Sequence, residues 1–284
     1  MAYFIFHDGK LMNHHQIMDN RGLAYGDGFF STMGVCRGQI LFAKGHQDRL
    51  IQSSKCFEFL VDTDALMVAL ADLAKQIHQG MIKIIITRGV QSVRGYGYES
   101  DESCVLIKAV SSDIYQGVCF YDDIPCQSSG MAVCLSEKLS LRTPRFAGLK
   151  LISSHEQVFI HQELQSLQKN HHNVVEGLVA SMSDEWVSGA MSNVFYRLDD
   201  AWHTPPVSRC GVNGVMRQVI MTKFGLDERR LTNDDLFKID GLAFCNAVRG
   251  VMPIHALMIG EVVQRLPHDF CDVVKSHLDN FRNI

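Results

Sequence analysis

Two hydrophobic periods are interleaved along this chain, one of about two residues and one of about 3.6, so strands and helices are predicted throughout its length. Phe4-Ile5-Phe6, the turn residues His7-Asp8-Gly9-Lys10 and then Leu11-Met12 predict a hairpin. Asn20 to Thr32 is a glycine-rich approach to a strand, and its glycines serve either tight turns or a close backbone approach to a ligand. From Gly45 the spacing of Leu50, Ile51, Phe57 and Leu60 predicts an amphipathic helix. Asp62-Thr63-Asp64 offers a cap for a second helix reaching Ala74–Ile77, with Gly80 past its end. Met81–Thr87 and Cys104–Val110 have the length and apolar content of strands.

Ser111 to Asp123 is polar and irregular, and the domain boundary is expected there. Beyond it, Met131–Ser136 predicts a strand, and a long helix is expected after Lys150 to about Gln168. Val174–Ser181 and Trp186–Leu198 predict strands flanking the Ser183-Asp184 turn. Gly211 to Arg217 introduces a helix to Phe224, and a short helix near Asp234–Phe237 precedes a strand at Leu242–Asn246. A strand near Glu261–Gln264 and a helix from His268 to Phe281 close the chain. The alternation is irregular, so the expected fold class is α/β (α+β). Its expected parts are a smaller N-terminal domain over residues 1–114, a linker over 115–124 and a larger domain over 125–284.

The 284 residues are 46% apolar, enough for a large core or two ordinary domains. A net charge of −4 without a basic aromatic stripe argues against nucleic acid as a partner. Apolar runs stay strand-sized, so no membrane span is expected, and the N-terminus lacks the basic region and long apolar core of a signal peptide. Nine cysteines contain no Cys-x-x-Cys pair, and Cys104, Cys134 and Cys245 sit inside apolar runs. Reduced, buried thiols and a cytoplasmic location are the expectation. His14-His15 and His171-His172 are adjacent pairs, and neighbours do not share a face, so no metal site is expected.

The candidate chemistry centres on Arg145-Phe-Ala-Gly-Leu-Lys150-Leu-Ile-Ser-Ser-His-Glu-Gln157. Burial disfavours the ammonium form of a lysine, and the neutral amine is a nucleophile that forms Schiff bases. The alternative for Lys150 is a stem lying on apolar surface with its charge in water. Gly211-Val-Asn-Gly-Val-Met-Arg217 leads glycines into a helix, whose free first-turn amides and dipole favour an anion. Cys245-Asn-Ala-Val248 ends a strand and offers further donors. Arg49 near a helix start supplies either a bidentate anion contact or a surface ion pair. Phosphate-type signals joined to a nucleophilic lysine point to pyridoxal 5'-phosphate.

With these motifs in family order, the chain resembles the fold-type IV pyridoxal-phosphate enzymes, the branched-chain and D-amino-acid aminotransferase group. The segments carrying the resemblance are Tyr25–Thr32, His46–Leu50, Arg88-Gly89 with Arg94-Gly95-Tyr96, Ala147–Lys150, Gly211–Arg217 and Cys245–Ala247 followed by Val251–Ile254. Within the group the likeness runs furthest toward the aminodeoxychorismate lyases. The resemblance implies a two-domain fold in a homodimer acting on a small-molecule substrate, aminodeoxychorismate or an amino acid. It implies Lys150 as Schiff-base lysine and acid/base, with Thr32 as a second catalytic residue. Arg49, the amides of Val215 and Met216, and the Asn246-Ala247 turn are implied as phosphate ligands, with Ser188 and Asn193 beside the cofactor. Tyr25, Thr32 and Arg94 are implied on the substrate side.

Two departures bear on the reaction. The family strand reads Glu-x-x-x-x-Asn, whereas Ser188 stands five residues before Asn193. A serine does not stabilise a pyridinium as a carboxylate does, so the cofactor ring becomes a weaker electron sink. After the lysine, the lyases read Lys-His-Leu-Asn-Arg, and this chain reads Lys150-Leu-Ile-Ser-Ser154. The serine favours elimination of pyruvate, driven by aromatisation to p-aminobenzoate as in folate synthesis. An aminotransferase and a non-catalytic pyridoxal-phosphate-binding homologue remain open alternatives.

Overall fold

The computed structural model describes residues 2–6, 19–91, 93 and 95–275. Its contacts divide the chain into two compact units, Met1–Gln116 with Leu149–Ser154, and Gly117–Gly148 with His155–Ile284. The short Leu149–Ser154 segment, with Lys150 in it, therefore groups with the first unit, although the sequence expectation set it in the second domain.

The first unit runs β1 (Ala2–Phe6), α1 (Arg21–Tyr25), β2 (Gly28–Cys36), β3 (Gln39–Ile40), α2 (Ala43–Phe57), α3 (Thr63–Ile77), β4 (Gly80–Thr87) and β5 (Cys104–Ser111). Its five strands form one antiparallel sheet in the order β1-β5-β4-β2-β3. Alternation along β2 and β4 puts Phe29, Ser31, Met33, Ile82, Ile84 and Ile86 on one face, all buried. Leu50, Phe57, Leu70 and Ala74 of α2 and α3 are buried with them, and the Phe29 and Phe57 rings lie 5.7 Å apart. Each such Leu or Phe side chain contributes about 2 kcal/mol on burial. The opposite face carries Phe30, Thr32 and Lys83, all partly exposed.

Boundaries in this unit follow local chemistry. Asp62 caps α3, accepting from the Ala65 N–H at 2.9 Å. The helix ends on His78 at a positive φ of 60°, and Gly80 already opens β4. Leu60 lies beyond α2 and is exposed, so it is not part of the apolar face expected for that helix. The expected N-terminal hairpin retains its first strand, and its turn and return lie outside the described residues.

The second unit contains β6 (Cys119–Tyr121), β7 (Ile124–Cys126), β8 (Gly130–Leu139), α4 (His155–Asn170), β9 (Val174–Ser181), β10 (Trp186–Gly189), β11 (Asn193–Leu198) and β12 (Ala201–Thr204). It continues with α5 (Val215–Phe224), β13 (Asp227–Glu228), α6 (Asn233–Leu236), β14 (Gly241–Asn246), β15 (Gly250–Ile259) and β16 (Val262–Arg265). These strands make one mixed sheet, with β8 parallel to both β9 and β15. Val133, Leu135, Val174 and Val179 pack with Ile160 and Leu164 of α4. A second cluster gathers Leu178, Trp186, Val194, Tyr196, Leu242 and Phe244.

Trp186–Leu198 is two strands rather than one, because the chain reverses after Gly189 and pairs Ser188 with Asn193. The long helix begins at His155, five residues past Lys150. The ten-residue strand β15, flanked by β8 and β14, has no counterpart in the sequence reading; its apolar residues, interrupted only by His255, lack the alternation that marks a strand. Residues 270–275 are helical, His268 forms a bridge with Gly241 instead of opening the helix, and residues 276–281 of the expected C-terminal helix lie outside the described residues. Cys104 and Cys245 are buried as expected, and Cys134 is half-buried.

Candidate active site

Lys150 is held by the edge of β2. The Phe30 N–H donates to the Lys150 carbonyl at 2.9 Å, and the Ile152 N–H donates to Gly28 O at 3.2 Å. These bonds use backbone groups at the start of β2, beyond the reach of the short strand β3. The Lys150 amine lies 4.6 Å from the centre of the Phe30 ring, and the Lys83 amine lies 4.7 Å from the same centre. Thr32 pairs in register with Lys83, so hydroxyl and amine share a face.

Burial pushes Lys150 down to about 8, and the charges of Arg49 and Lys83 push in the same direction. About a tenth of the side chain is thus neutral amine at pH 7, far more than for an ordinary lysine, and this is the form that acts as nucleophile and base. Burial also lowers Arg49 to about 10. Arg49 Nη1 donates to Ser31 Oγ at 3.5 Å, and Ser31 Oγ lies 2.9 Å from His46 Nδ1. Among the described residues no carboxylate pairs with Lys150 or Lys83. Gathering such cations costs free energy that a bound anion recovers.

Tyr25 ends α1, is partly exposed, and packs its ring 5.4 Å from that of Tyr96. Arg21 braces this region, donating to Asp27 and to the carbonyls of Gly95, Tyr96 and Gly97. Arg94, expected on the substrate side, lies outside the described residues.

In the second unit, α5 begins after Gly214, an N-cap without a side-chain hydrogen bond. Its first-turn amides, those of Val215 and Met216 among them, have no intrahelical acceptor. A Cβ at position 214 would fall 2.0 Å from Asn193 Oδ1, so only glycine permits this approach. Asn193 donates to the Val212 carbonyl at 2.7 Å and braces the loop that sets the start of α5. Ser188 is buried beside it in the sheet. Asn246 Oδ1 accepts from the Val248 and Arg249 N–H groups, which closes the turn containing Ala247. Those two amides are therefore committed within the turn.

Three residues were given no role in the sequence reading, although His46 stands in the segment His46–Leu50 that carries the resemblance. Lys83 is the single charge in an apolar strand. Glu176 is likewise alone in β9, 1% exposed, and accepts from the Gly177 and Ala190 N–H groups and from Ser192 Oγ. Burial pushes its carboxyl up against these donors, and it ties down the corner between Ser188 and Asn193. His46 stands three residues before Arg49 on α2, a spacing that puts both on one side of the helix. A lone charge inside an apolar strand was the available signal for the first two.

Residues 28–257 match the family described as amino-transferase class IV. The chain belongs to that family. Class IV enzymes depend on pyridoxal phosphate. The chain is 25% identical over 254 residues to the aminodeoxychorismate lyase of Vibrio harveyi, covering 87% of this chain and 89% of that protein. It is 24% identical over 228 residues to a D-alanine aminotransferase of Staphylococcus haemolyticus, covering 76% and 73% respectively. The crystal structure of 4-amino-4-deoxychorismate lyase from Pseudomonas aeruginosa shares the fold, with a TM-score of 0.79 and 24% identity over 99% of this chain and 98% of that one. As a class IV member the chain fits its cofactor: a buried amine of lowered pKa stands near cations, and α5 offers uncapped amides to an anion.

Proposed function

We propose that this class IV enzyme is an aminodeoxychorismate lyase, releasing pyruvate and forming p-aminobenzoate, with Lys150 as its catalytic amine. The observation that carries the reading is the Lys150 amine, lowered to about 8 by burial and two neighbouring cations. When bound, pyridoxal phosphate supplies a carbonyl carbon for amines and an electron sink for the carbanion formed at the substrate. Lys150 takes the proton from the substrate carbon that bears the amine. Departure of the enolpyruvyl oxygen from the adjacent ring carbon then leaves an aromatic ring, and the protonated Lys150 gives its proton to the departing enolpyruvate, which becomes pyruvate.

Lys83 offers its charge to a substrate carboxylate, and Thr32 shares its face with a hydroxyl that orients the substrate. Tyr25 and Arg94 are proposed on the same substrate side. Arg49 and the Val215 and Met216 amides are proposed for the phosphate, together with the Asn246-Ala247 turn. Asn193 acts by bracing the loop before α5. Ser188 at the position of the family glutamate favours elimination, because aromatisation supplies driving force that a weak electron sink does not. The relatives include D-alanine aminotransferases, which keeps transamination as the second reading.

The test mixes the protein with pyridoxal phosphate and aminodeoxychorismate and assays p-aminobenzoate and pyruvate. A parallel reaction supplies D-alanine with a keto acid. Formation of p-aminobenzoate supports the lyase; transamination without it would replace the lyase by an aminotransferase. Light scattering of the same sample tests the expected homodimer.

A further inference from the structure

Behind the cation cluster, on the helix-covered face of the first unit's sheet, lies a chain of three side chains. Ser31 and His46 are both fully buried, with Ser31 Oγ 2.9 Å from His46 Nδ1. Arg49 donates from Nη1 to the same oxygen at 3.5 Å. A guanidinium carries only donors, so Ser31 Oγ must accept from it. That leaves the one hydroxyl proton of Ser31 available to His46 Nδ1, an arrangement in which this nitrogen accepts and the imidazole proton sits on Nε2.

His46 Nε2 has no hydrogen-bond partner among the described residues. An unsatisfied buried N–H is a cost that an apolar side chain at position 46 would avoid. What the imidazole contributes is its acceptor. Burial, and then the Arg49 charge, hold His46 neutral at a pKa of about 3, so this acceptor persists throughout the ordinary pH range.

We propose that His46 is a positioning residue: acting through Ser31, it fixes the direction of the Arg49 guanidinium toward the phosphate of the cofactor. The inference rests on Arg49 as a phosphate ligand. With its proton aimed at His46, Ser31 turns a lone pair toward Arg49 and restrains the guanidinium plane. Without that acceptor the hydroxyl rotates, and Arg49 loses its restraint while keeping its charge.

The test measures pyridoxal phosphate affinity by absorbance titration of four variants. His46→Leu removes the acceptor, His46→Asn keeps an oxygen near the place of Nδ1, and Ser31→Ala removes the middle member. The fourth combines His46→Leu with Ser31→Ala. His46→Leu and Ser31→Ala should each weaken binding roughly ten-fold, the size of one lost hydrogen bond to a charged group. The double variant should be little worse than either, and His46→Asn should stay near wild type. Additive losses, or no loss in His46→Leu, would overturn the proposal. Should the leucine variant fail to fold, nitrogen NMR of histidine-labelled wild-type protein decides. It should show a proton on Nε2, none on Nδ1, and no titration where free imidazole titrates; an Nδ1 proton or an imidazolium overturns the proposal. Wild-type protein that bound no cofactor would instead sink the reading of Arg49 as a phosphate ligand, while the NMR result stands independently of it.

Discussion

Lys150 and Lys83 direct their amines at one aromatic ring, 4.6 and 4.7 Å from the centre of Phe30. The ring attracts both ammonium groups, an effect worth about 0.5–2 kcal/mol each. Burial and the mutual repulsion of Lys150, Lys83 and Arg49 outweigh it at Lys150, whose pKa falls from 10.5 to about 8. The pair thus separates two roles, with Lys150 as the amine that loses its proton and Lys83 as one of the charges that removes it.

Lys150→Ala should keep the fold and lose both activity and the visible absorption of lysine-bound cofactor. Circular dichroism and an absorption spectrum with added pyridoxal phosphate check this. A spectrum like that of the wild type would remove Lys150 from its assigned place.

The lowered pKa gives a pH dependence of definite sign. Cofactor attachment needs the neutral amine, so its rate should fall as pH drops below about 8 and level off above it. Lys83→Met removes one neighbouring cation and should move the midpoint upward, toward 10.5. Between these two pH values the unfolded chain binds more protons at this lysine than the native one. Its contribution to folding stability therefore rises with pH across that window. Stopped-flow attachment rates over a pH series read the midpoint in both proteins.

Arg49→Ala should weaken cofactor binding by about 1.5–3 kcal/mol, the worth of a hydrogen bond to a charged group. Helix-end amides do not replace a guanidinium facing a phosphate dianion. Equal affinities in a titration of wild type and variant would contradict the assignment.

Ser188→Glu should return a carboxylate to the place the family gives it. An anion beside the pyridine nitrogen favours its protonated form, so conversion of D-alanine to pyruvate should accelerate. Release of p-aminobenzoate from aminodeoxychorismate should change less. If the variant binds cofactor normally and D-alanine conversion does not rise, Ser188 is not the partner of that nitrogen.

Asp27 bridges the buried Arg21 and Arg88, accepting from each Nε at 2.9 Å. Asp27→Ala leaves two buried cations without this carboxylate and should cost about 3–5 kcal/mol in urea unfolding. Arg21 also holds the Gly95–Gly97 carbonyls, so substrate turnover should fall along with stability.

Much of the candidate site is written in local sequence. Gly211–Arg217 reads as a helix entrance for an anion because glycine spacing and helix starts depend on a few adjacent residues, and α5 begins there. Lys150 stands out because a lysine amid apolar residues is costly without a role. The same local logic recovered α3 with its Asp62 cap, and it failed for β15, whose largely apolar run, interrupted only by His255, looks alike in any buried element. Lys83, His46 and Glu176 depend on something else. Lys83 meets Lys150 over Phe30 only because β4 pairs with β2 in one register and Leu149–Ser154 returns to the edge of β2. A shift of one residue would turn Lys83 to the helix-covered face and move Ile82 or Ile84 out of the core to the partly exposed one. Glu176 finds its partners because β9, β10 and the corner before β11 stack in one sheet. Such pairings join segments tens of residues apart, and side-chain partners across a sheet are set by register, which no single segment encodes.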